Sequence, residues 1–142
     1  MRICSYKGLV VAVLTRNEHC PPHAHVGNSQ WDARFTFSFW HNGVQLWDVR
    51  PARHEPDAAL LEMLRQTLKQ ADHLRKAREL WWNSKETICV DKQQWDLKTE
   101  EVVSPKAHRP GVLDIVSARF DARRYATILQ LAGQLAPVEI EL

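Results

Sequence analysis

Short stretches of alternating apolar and polar residues mark the first third of the chain, and a two-residue period is typical of half-buried β-strands. The clearest stretch covers residues 31–39. Its apolar side chains on one face are Trp31, Ala33, Phe35, Phe37 and Phe39. Residues 9–14 are rich in valine and apolar on both faces. We therefore predict a strand with one buried face at 31–39 and a central strand at 9–14.

The dipeptide Asn42-Gly43 directly follows the alternating strand and predicts a hairpin. A two-residue type I′ turn needs positive φ at both central positions, and Asn-Gly meets this requirement best. The returning strand would cover residues 44–49. In this register Phe39 would lie opposite Leu46.

Asp57 is a suitable N-cap for a helix, because its side chain can accept a hydrogen bond from the first turn. The apolar residues that follow at helical spacing are Leu60, Leu61, Leu64, Leu68 and Ala71. An unbroken helix would place Arg78 in the middle of this apolar stripe. We therefore predict a break near residues 72–76 and a second short helix that ends at residues 81–83.

The last part of the chain predicts a strand, a helix and a strand. Residues 112–120 have the composition of a strand, and residues 138–142 alternate between apolar and acidic. Between them, four apolar residues follow the i, i+3, i+4, i+7 pattern of a helix: Tyr125, Ile128, Leu129 and Ala132. We predict a helix at 121–133 and a small right-handed βαβ unit.

These elements together predict an α+β fold with a mainly antiparallel sheet. The β-rich N-terminal half would be packed by helices at about 57–83 and 121–133. A chain of 142 residues is long enough to bury its own core. Because no repeat or linker divides it, we expect a single domain, residues 1–142.

Charge and cysteine content narrow the class of protein. The net charge is +2, with 11 basic and 8 acidic residues up to Ser84 and 8 basic and 9 acidic residues after it. This even balance gives nucleic-acid binding only weak support. The three cysteines are odd in number and widely spaced, unlike a disulfide framework, and no run approaches the ~20 apolar residues of a membrane span. We expect a soluble, cytoplasmic protein without a membrane partner.

Residues 19–25 contain three of the seven histidines around a Pro-Pro corner. If the segment beyond the prolines is extended, His23 and His25 share one face. They could bind a divalent metal ion such as Zn²⁺, with His19 or Cys20 folded back by the prolines and water completing a tetrahedral site.

Two alternatives to a metal site remain open for these histidines. The imidazoles could bond to backbone carbonyls and to Glu18, or they could pack on the aromatic strand. A hydrolytic metal would also need a general base. The candidates are Glu18, Asp32, Asp48 and Glu55.

The run Glu18-His19-Cys20-Pro21-Pro22-His23-Ala24-His25-Val26 resembles the signature of a small bacterial family called domain of unknown function 4160. That signature is an acidic residue, His, a spacer, Pro-Pro-His, an aromatic residue and His-Val. Ala24 replaces the aromatic residue. The resemblance covers roughly residues 8–83 and leaves 84–142 outside. Because genes of this family often stand beside toxin–antitoxin genes, the resemblance implies a component of such a system.

Two functions from different classes follow from these observations. The first is a partner-binding protein that contacts a protein partner or a second copy of itself. Its contact residues would be Trp81, Trp82, Arg65, Lys69 and Lys76. The alternative is a metal-dependent hydrolase or nuclease centred on His19, His23 and His25, acting on a phosphodiester or similar substrate.

Overall fold

The computed structural model describes residues 1–105 and 109–142. The chain forms two compact units, Met1–Glu86 and Thr87–Leu142. The predicted α+β class with antiparallel sheets is confirmed.

The first unit contains a five-stranded antiparallel sheet in which the strands follow one another in chain order. The strands are β1 (Arg2–Tyr6), β2 (Leu9–Ala12), β3 (His23–Gly27), β4 (Asp32–Thr36) and β5 (Gln45–Arg50). The type I′ signature of positive φ at two successive residues occurs at Lys7 and Gly8, between β1 and β2. The strand predicted at 9–14 exists as β2, Leu9–Ala12, and it lies inside the sheet, between β1 and β3.

The alternating pattern of residues 31–39 correctly predicts which side chains are buried. Trp31, Ala33, Phe35, Phe37 and Phe39 are all between 0 and 6 % exposed. Ala24 and Val26 of β3 pair with Phe35 and Ala33 of β4 and are also buried. The opposite face of β3 is the one that carries His25.

The returning strand predicted at 44–49 is confirmed as β5, which pairs with β4, but the two-residue turn predicted at Asn42-Gly43 is wrong. Pairing between β4 and β5 ends at Thr36 and Gln45, and neither residue of the dipeptide has a positive φ. The buried guanidinium of Arg78 donates to the carbonyl oxygens of Ser38 and His41 and to the side chain of Asn42. These contacts hold residues 38–42 as a longer loop, so the predicted register does not form.

Two helices follow the sheet, α1 (Ala58–Lys69) and α2 (Ala71–Lys85), after a short 3₁₀ turn at Ala52–His54. The predicted N-cap is confirmed, since the Asp57 carboxylate accepts from the Leu60 N–H at 2.8 Å. The break lies at Gln70, earlier than predicted, and α2 continues to Lys85. The break was predicted in order to keep Arg78 out of the apolar stripe. Arg78 is nevertheless buried, because the loop carbonyls satisfy its donors.

The helix predicted at 121–133 is wrong. The Asp121 carboxylate accepts from the N–H groups of Arg123 and Arg124, and Tyr125 has a φ of 57°. This turn leads into a strand that buries four consecutive residues, Ala126, Thr127, Ile128 and Leu129. Burial on both faces explains why the apolar positions also matched a helical period.

The described part of the second unit therefore contains an antiparallel sheet and no βαβ unit. Its strands are β6 (Gln94–Asp96), β7 (Glu101–Val103), β8 (Val112–Asp121), β9 (Ala126–Leu131) and β10 (Val138–Glu141), in the order β10-β9-β8-β6-β7. The predicted strands at 112–120 and 138–142 are confirmed as β8 and β10. Among the described residues, no helix combines the length and apolar character that a membrane span requires.

Candidate metal centre

Three side chains with metal-ligating atoms meet at the start of β3. They are Glu18, from the segment between β2 and β3, and His23 and His25, which lie two residues apart on the strand. The strand begins immediately after Pro22, whose carbonyl oxygen accepts from the Phe37 N–H at 3.0 Å. Residues two apart in a strand point to the same face, so the backbone itself brings the two imidazoles together.

His23 is held in one orientation by its neighbours. Its side chain is 1 % exposed, and its Nδ1 lies 2.8 Å from the carbonyl oxygen of Pro21. Because a carbonyl oxygen can only accept, Nδ1 must carry the hydrogen and donate. The other ring nitrogen, Nε2, faces the Glu18 carboxylate and lies 2.5 Å from Oε2.

His25 is oriented in the same way by a carboxylate. Its Nδ1 lies 2.9 Å from Oδ2 of Asp32. Its Nε2 lies 3.1 Å from Glu18 Oε1 but is not aligned for a hydrogen bond, so this buried nitrogen has no hydrogen-bond partner among the described residues. The hydrogen bond to Asp32 is the main cause that raises the pKa of His25; burial opposes it, and the Glu18 carboxylate beside Nε2 raises it further.

The ligating atoms of the three residues all lie within 4.8 Å of one another. In both histidines the Nδ1 atom is occupied by an outer acceptor and the Nε2 atom points at one shared carboxylate. Two nitrogen lone pairs and a carboxylate repel one another unless a proton or a cation lies between them. This donor set, with its oriented imidazoles, fits a divalent ion such as Zn²⁺.

An ordered group of side chains borders the histidines on the neighbouring strands. Arg34 of β4 donates to both carboxylate oxygens of Asp48 on β5, through Nε at 2.7 Å and through a second short contact. This hydrogen bond is the main cause that lowers the pKa of Asp48. The guanidinium carbon of Arg34 also lies 3.9 Å from the ring centroid of Trp47, and that ring contacts His23 edge-on at 5.2 Å.

The structure brings together only part of the metal-ligand set predicted from the sequence. His23 and His25 belong to the group, whereas His19 and Cys20 are exposed and are not members of it. Glu18 takes the third position, although the sequence suggested it only as a base or as a hydrogen-bond partner. The predicted alternative of bonds to a backbone carbonyl and to Glu18 is also present, at His23.

The other candidate bases are distributed around this group. Asp32 is engaged with His25, and Asp48 is engaged with Arg34. Glu55 is exposed and lies after the 3₁₀ turn. The sequence suggested Asp32 only as a candidate base. Its contact with His25 was not predicted, because it depends on the register that places Asp32 two residues from Arg34, the strand partner of His25.

The residues predicted to bind a partner do not form one exposed surface. The Trp81 side chain is buried, and its ring lies 5.4 Å from His23. Arg65 is paired with Glu62, whose pKa its hydrogen bonds lower to about 2. Lys69 and Lys76 are exposed, whereas Trp82 is half-buried. A partner that binds here would meet the lysines and not the Trp81 ring.

Comparison with known proteins adds no relative to this description. Neither protein-family models, nor curated proteins, nor solved structures gave a match. The resemblance of the Glu18–Val26 run to a known signature therefore stays a prediction, and the local geometry carries the functional argument.

Proposed function

We propose that this protein is a metal-dependent hydrolase that holds one divalent ion, with Zn²⁺ as the best candidate, through Glu18, His23 and His25. The observation that supports the proposal is the buried His25 Nε2, which has no hydrogen-bond partner among the described residues and lies 3.1 Å from the Glu18 carboxylate. A metal ion would give this nitrogen the partner that it needs.

The number of ligands favours a catalytic site over a structural one. Structural zinc sites are closed by four protein ligands, whereas catalytic sites use three, often two histidines and a glutamate, and keep an open position. Here the side chains of Glu18 and His25 are 12 and 16 % exposed, although the ligating Nε2 atom of His25 is itself buried. A divalent ion at such a site polarises a bound substrate oxygen and lowers the pKa of a bound water.

The outer groups have a defined role in this proposal. The Pro21 carbonyl and the Asp32 carboxylate accept from the Nδ1 atoms of the two histidines at 2.8 and 2.9 Å. These bonds fix the tautomer and ring orientation, and the carboxylate raises the basicity of its imidazole. The Nε2 atoms are thereby prepared as metal ligands.

Elemental analysis of protein purified without a His-tag or added metal tests the proposal. We expect about one zinc per chain in the wild type and a loss of most of it in Glu18→Gln and His25→Ala, because each removes one of three ligands. His54→Ala is the matched control, since that exposed histidine lies outside the group. His19→Ala distinguishes the two ligand sets, and we expect it to retain the metal.

Two results would contradict the proposal. One is metal well below one equivalent in folded wild-type protein after reconstitution with Zn²⁺. The other is an unchanged metal content in Glu18→Gln and His25→Ala. Circular dichroism of every variant shows whether a loss of metal reflects a lost ligand or a lost fold.

A further inference from the structure

Trp47 is an exposed aromatic residue beside the candidate metal centre. The register of β4 and β5 shifts at this point: Arg34 pairs with Asp48 and Phe35 with Leu46, so Trp47 is the extra residue of a β-bulge. Bulges redirect a side chain and are common next to active sites. Here the bulge turns the indole toward the face that carries His23 and His25.

The indole is held rigidly and is still open to solvent. The His23 ring contacts it edge-on, with 5.2 Å between centroids and 79° between planes. The Arg34 guanidinium lies over the ring at 3.9 Å and is itself fixed by both oxygens of Asp48. Even so, 41 % of Trp47 is exposed. A large apolar side chain that is both ordered and exposed is suited to binding a ligand.

An exposed positive charge lies on the same face of the sheet. Arg50 is two residues beyond Asp48 on β5 and donates to the same carboxylate through Nε at 3.1 Å. Its side chain is 69 % exposed, and its terminal nitrogens have no acceptor among the described residues. Asp48 binds both Arg34 and Arg50, and Asp32 is the strand partner of Arg50, so the exposed guanidinium of Arg50 is partly balanced but still presents its terminal nitrogens to solvent.

We propose that single-stranded nucleic acid is the substrate class of this site, with a base stacked on Trp47 and a backbone phosphate bound by Arg50. The inference rests on the proposed metal centre, which would bind a neighbouring phosphodiester oxygen. A nucleic-acid base can stack on the flat aromatic ring, and a backbone phosphate can bind the exposed guanidinium. A divalent ion can bind the scissile phosphodiester. An aromatic peptide would use the indole but would not need the charge of Arg50.

Fluorescence anisotropy with labelled oligo(dT) and oligo(rU) of about 12 nucleotides tests the inference, because this length is within the site sizes of single-strand binders. An abasic strand of equal length is the matched probe for charge without bases. We expect Trp47→Leu to weaken binding of the strands with bases about 5- to 100-fold and to leave binding of the abasic strand unchanged. Arg50→Ala should reduce the slope of log affinity against log salt by about 0.7.

Matched control variants separate the site from its surroundings. Leu46→Ala removes the neighbouring exposed apolar side chain of β5, and Arg53→Ala removes an exposed charge on the 3₁₀ turn. Both should bind the oligonucleotides as the wild type does. Zinc content is measured on the same samples, and we expect Trp47→Leu to retain the metal.

Three results would overturn the inference. They are no binding of either oligonucleotide at low salt, equal affinity for the abasic strand, and unchanged binding in Trp47→Leu. If these occur in protein that contains one zinc per chain, the nucleic-acid inference fails and the metal proposal stands. If the protein binds oligonucleotides through Trp47 but holds no metal, the metal proposal fails and the role of Trp47 in binding nucleic acid stands.

Discussion

At the scale of single residues, the site depends on how each imidazole is oriented. The sequence was sufficient to place His23 and His25 on one strand face, because alternation along a strand is a local property. It could not assign Glu18 as the third member, since this residue lies in an irregular segment whose path is set by packing. The contact between Asp32 and His25 could not be predicted either, because it depends on the register between β3 and β4.

The role of Asp32 is testable through the titration of His25. The hydrogen bond to Asp32 raises the pKa of His25 in the folded protein. We therefore expect Asp32→Ala to lower this pKa in metal-free protein, as measured by NMR titration of the ring protons. Glu55→Ala is the matched control, since it removes an exposed carboxylate outside the group. An unchanged pKa of His25 in Asp32→Ala would contradict this account.

The sign of the linked effect on stability follows from the same shift. A raised pKa means that protonated His25 stabilises the folded metal-free protein. This stabilisation is complete below the unfolded histidine pKa of about 6.5 and is lost as the pH rises through the folded value. Zn²⁺ competes with the proton, so its affinity should increase over the pH range in which this stabilisation is lost.

At the scale of elements, two local signals predicted the structure correctly. Asp57 caps α1 by accepting from a nearby backbone N–H, and the alternation of residues 31–39 identifies the buried face of that segment. The two-residue turn at Asn42-Gly43 was wrong because Arg78, 36 residues away from Asn42, binds the loop. The helix at 121–133 failed because a strand buried on both faces imitates a helical period.

The first helix start offers a direct stability test. Asp57→Ala removes the acceptor that binds the Leu60 N–H at 2.8 Å and should lower the free energy of unfolding by about 1 kcal/mol. Glu55→Ala, an exposed acidic residue just before the helix, should change it far less. Urea denaturation measures both variants, and equal effects would show that charge near the helix, not the cap, is responsible.

The Arg78 contacts predict a larger loss. Arg78→Met keeps an unbranched side chain but leaves the buried Ser38 carbonyl without this donor and removes one of the two donors to the His41 carbonyl, which also accepts from the Ser38 hydroxyl. An unsatisfied buried group costs about 1–3 kcal/mol, so we expect the free energy of unfolding to fall by about 2 kcal/mol. Lys76→Met on the same helix is exposed and serves as the control. A near-neutral Arg78→Met would contradict the role given to this residue.

At the scale of the whole molecule, the chain divides into the units Met1–Glu86 and Thr87–Leu142. The internal structure of the second unit was predicted poorly, since its strands β6 and β7 have three residues each and give little periodic signal. The partner-binding role expected from the sequence stays a prediction.

The location of the site within one unit leads to a prediction about fragments. Glu18, His23, His25 and Asp32 all belong to residues 1–86. A fragment of residues 1–86 should therefore bind about one zinc per chain, and a fragment of residues 87–142 should bind none under the same conditions. Circular dichroism and elemental analysis of both fragments measure this. If the full chain binds zinc but the folded 1–86 fragment does not, the assignment of Glu18, His23 and His25 as the complete protein ligand set is wrong.

Anomalous diffraction at the zinc absorption edge, from crystals of the wild-type protein with one equivalent of Zn²⁺, locates the ion directly. We expect an anomalous peak within coordination distance, about 2.0–2.2 Å, of His23 Nε2, His25 Nε2 and a Glu18 carboxylate oxygen. The absence of a peak there would contradict the proposed ligand set. A peak held by His19 or Cys20 in place of Glu18 would contradict it equally.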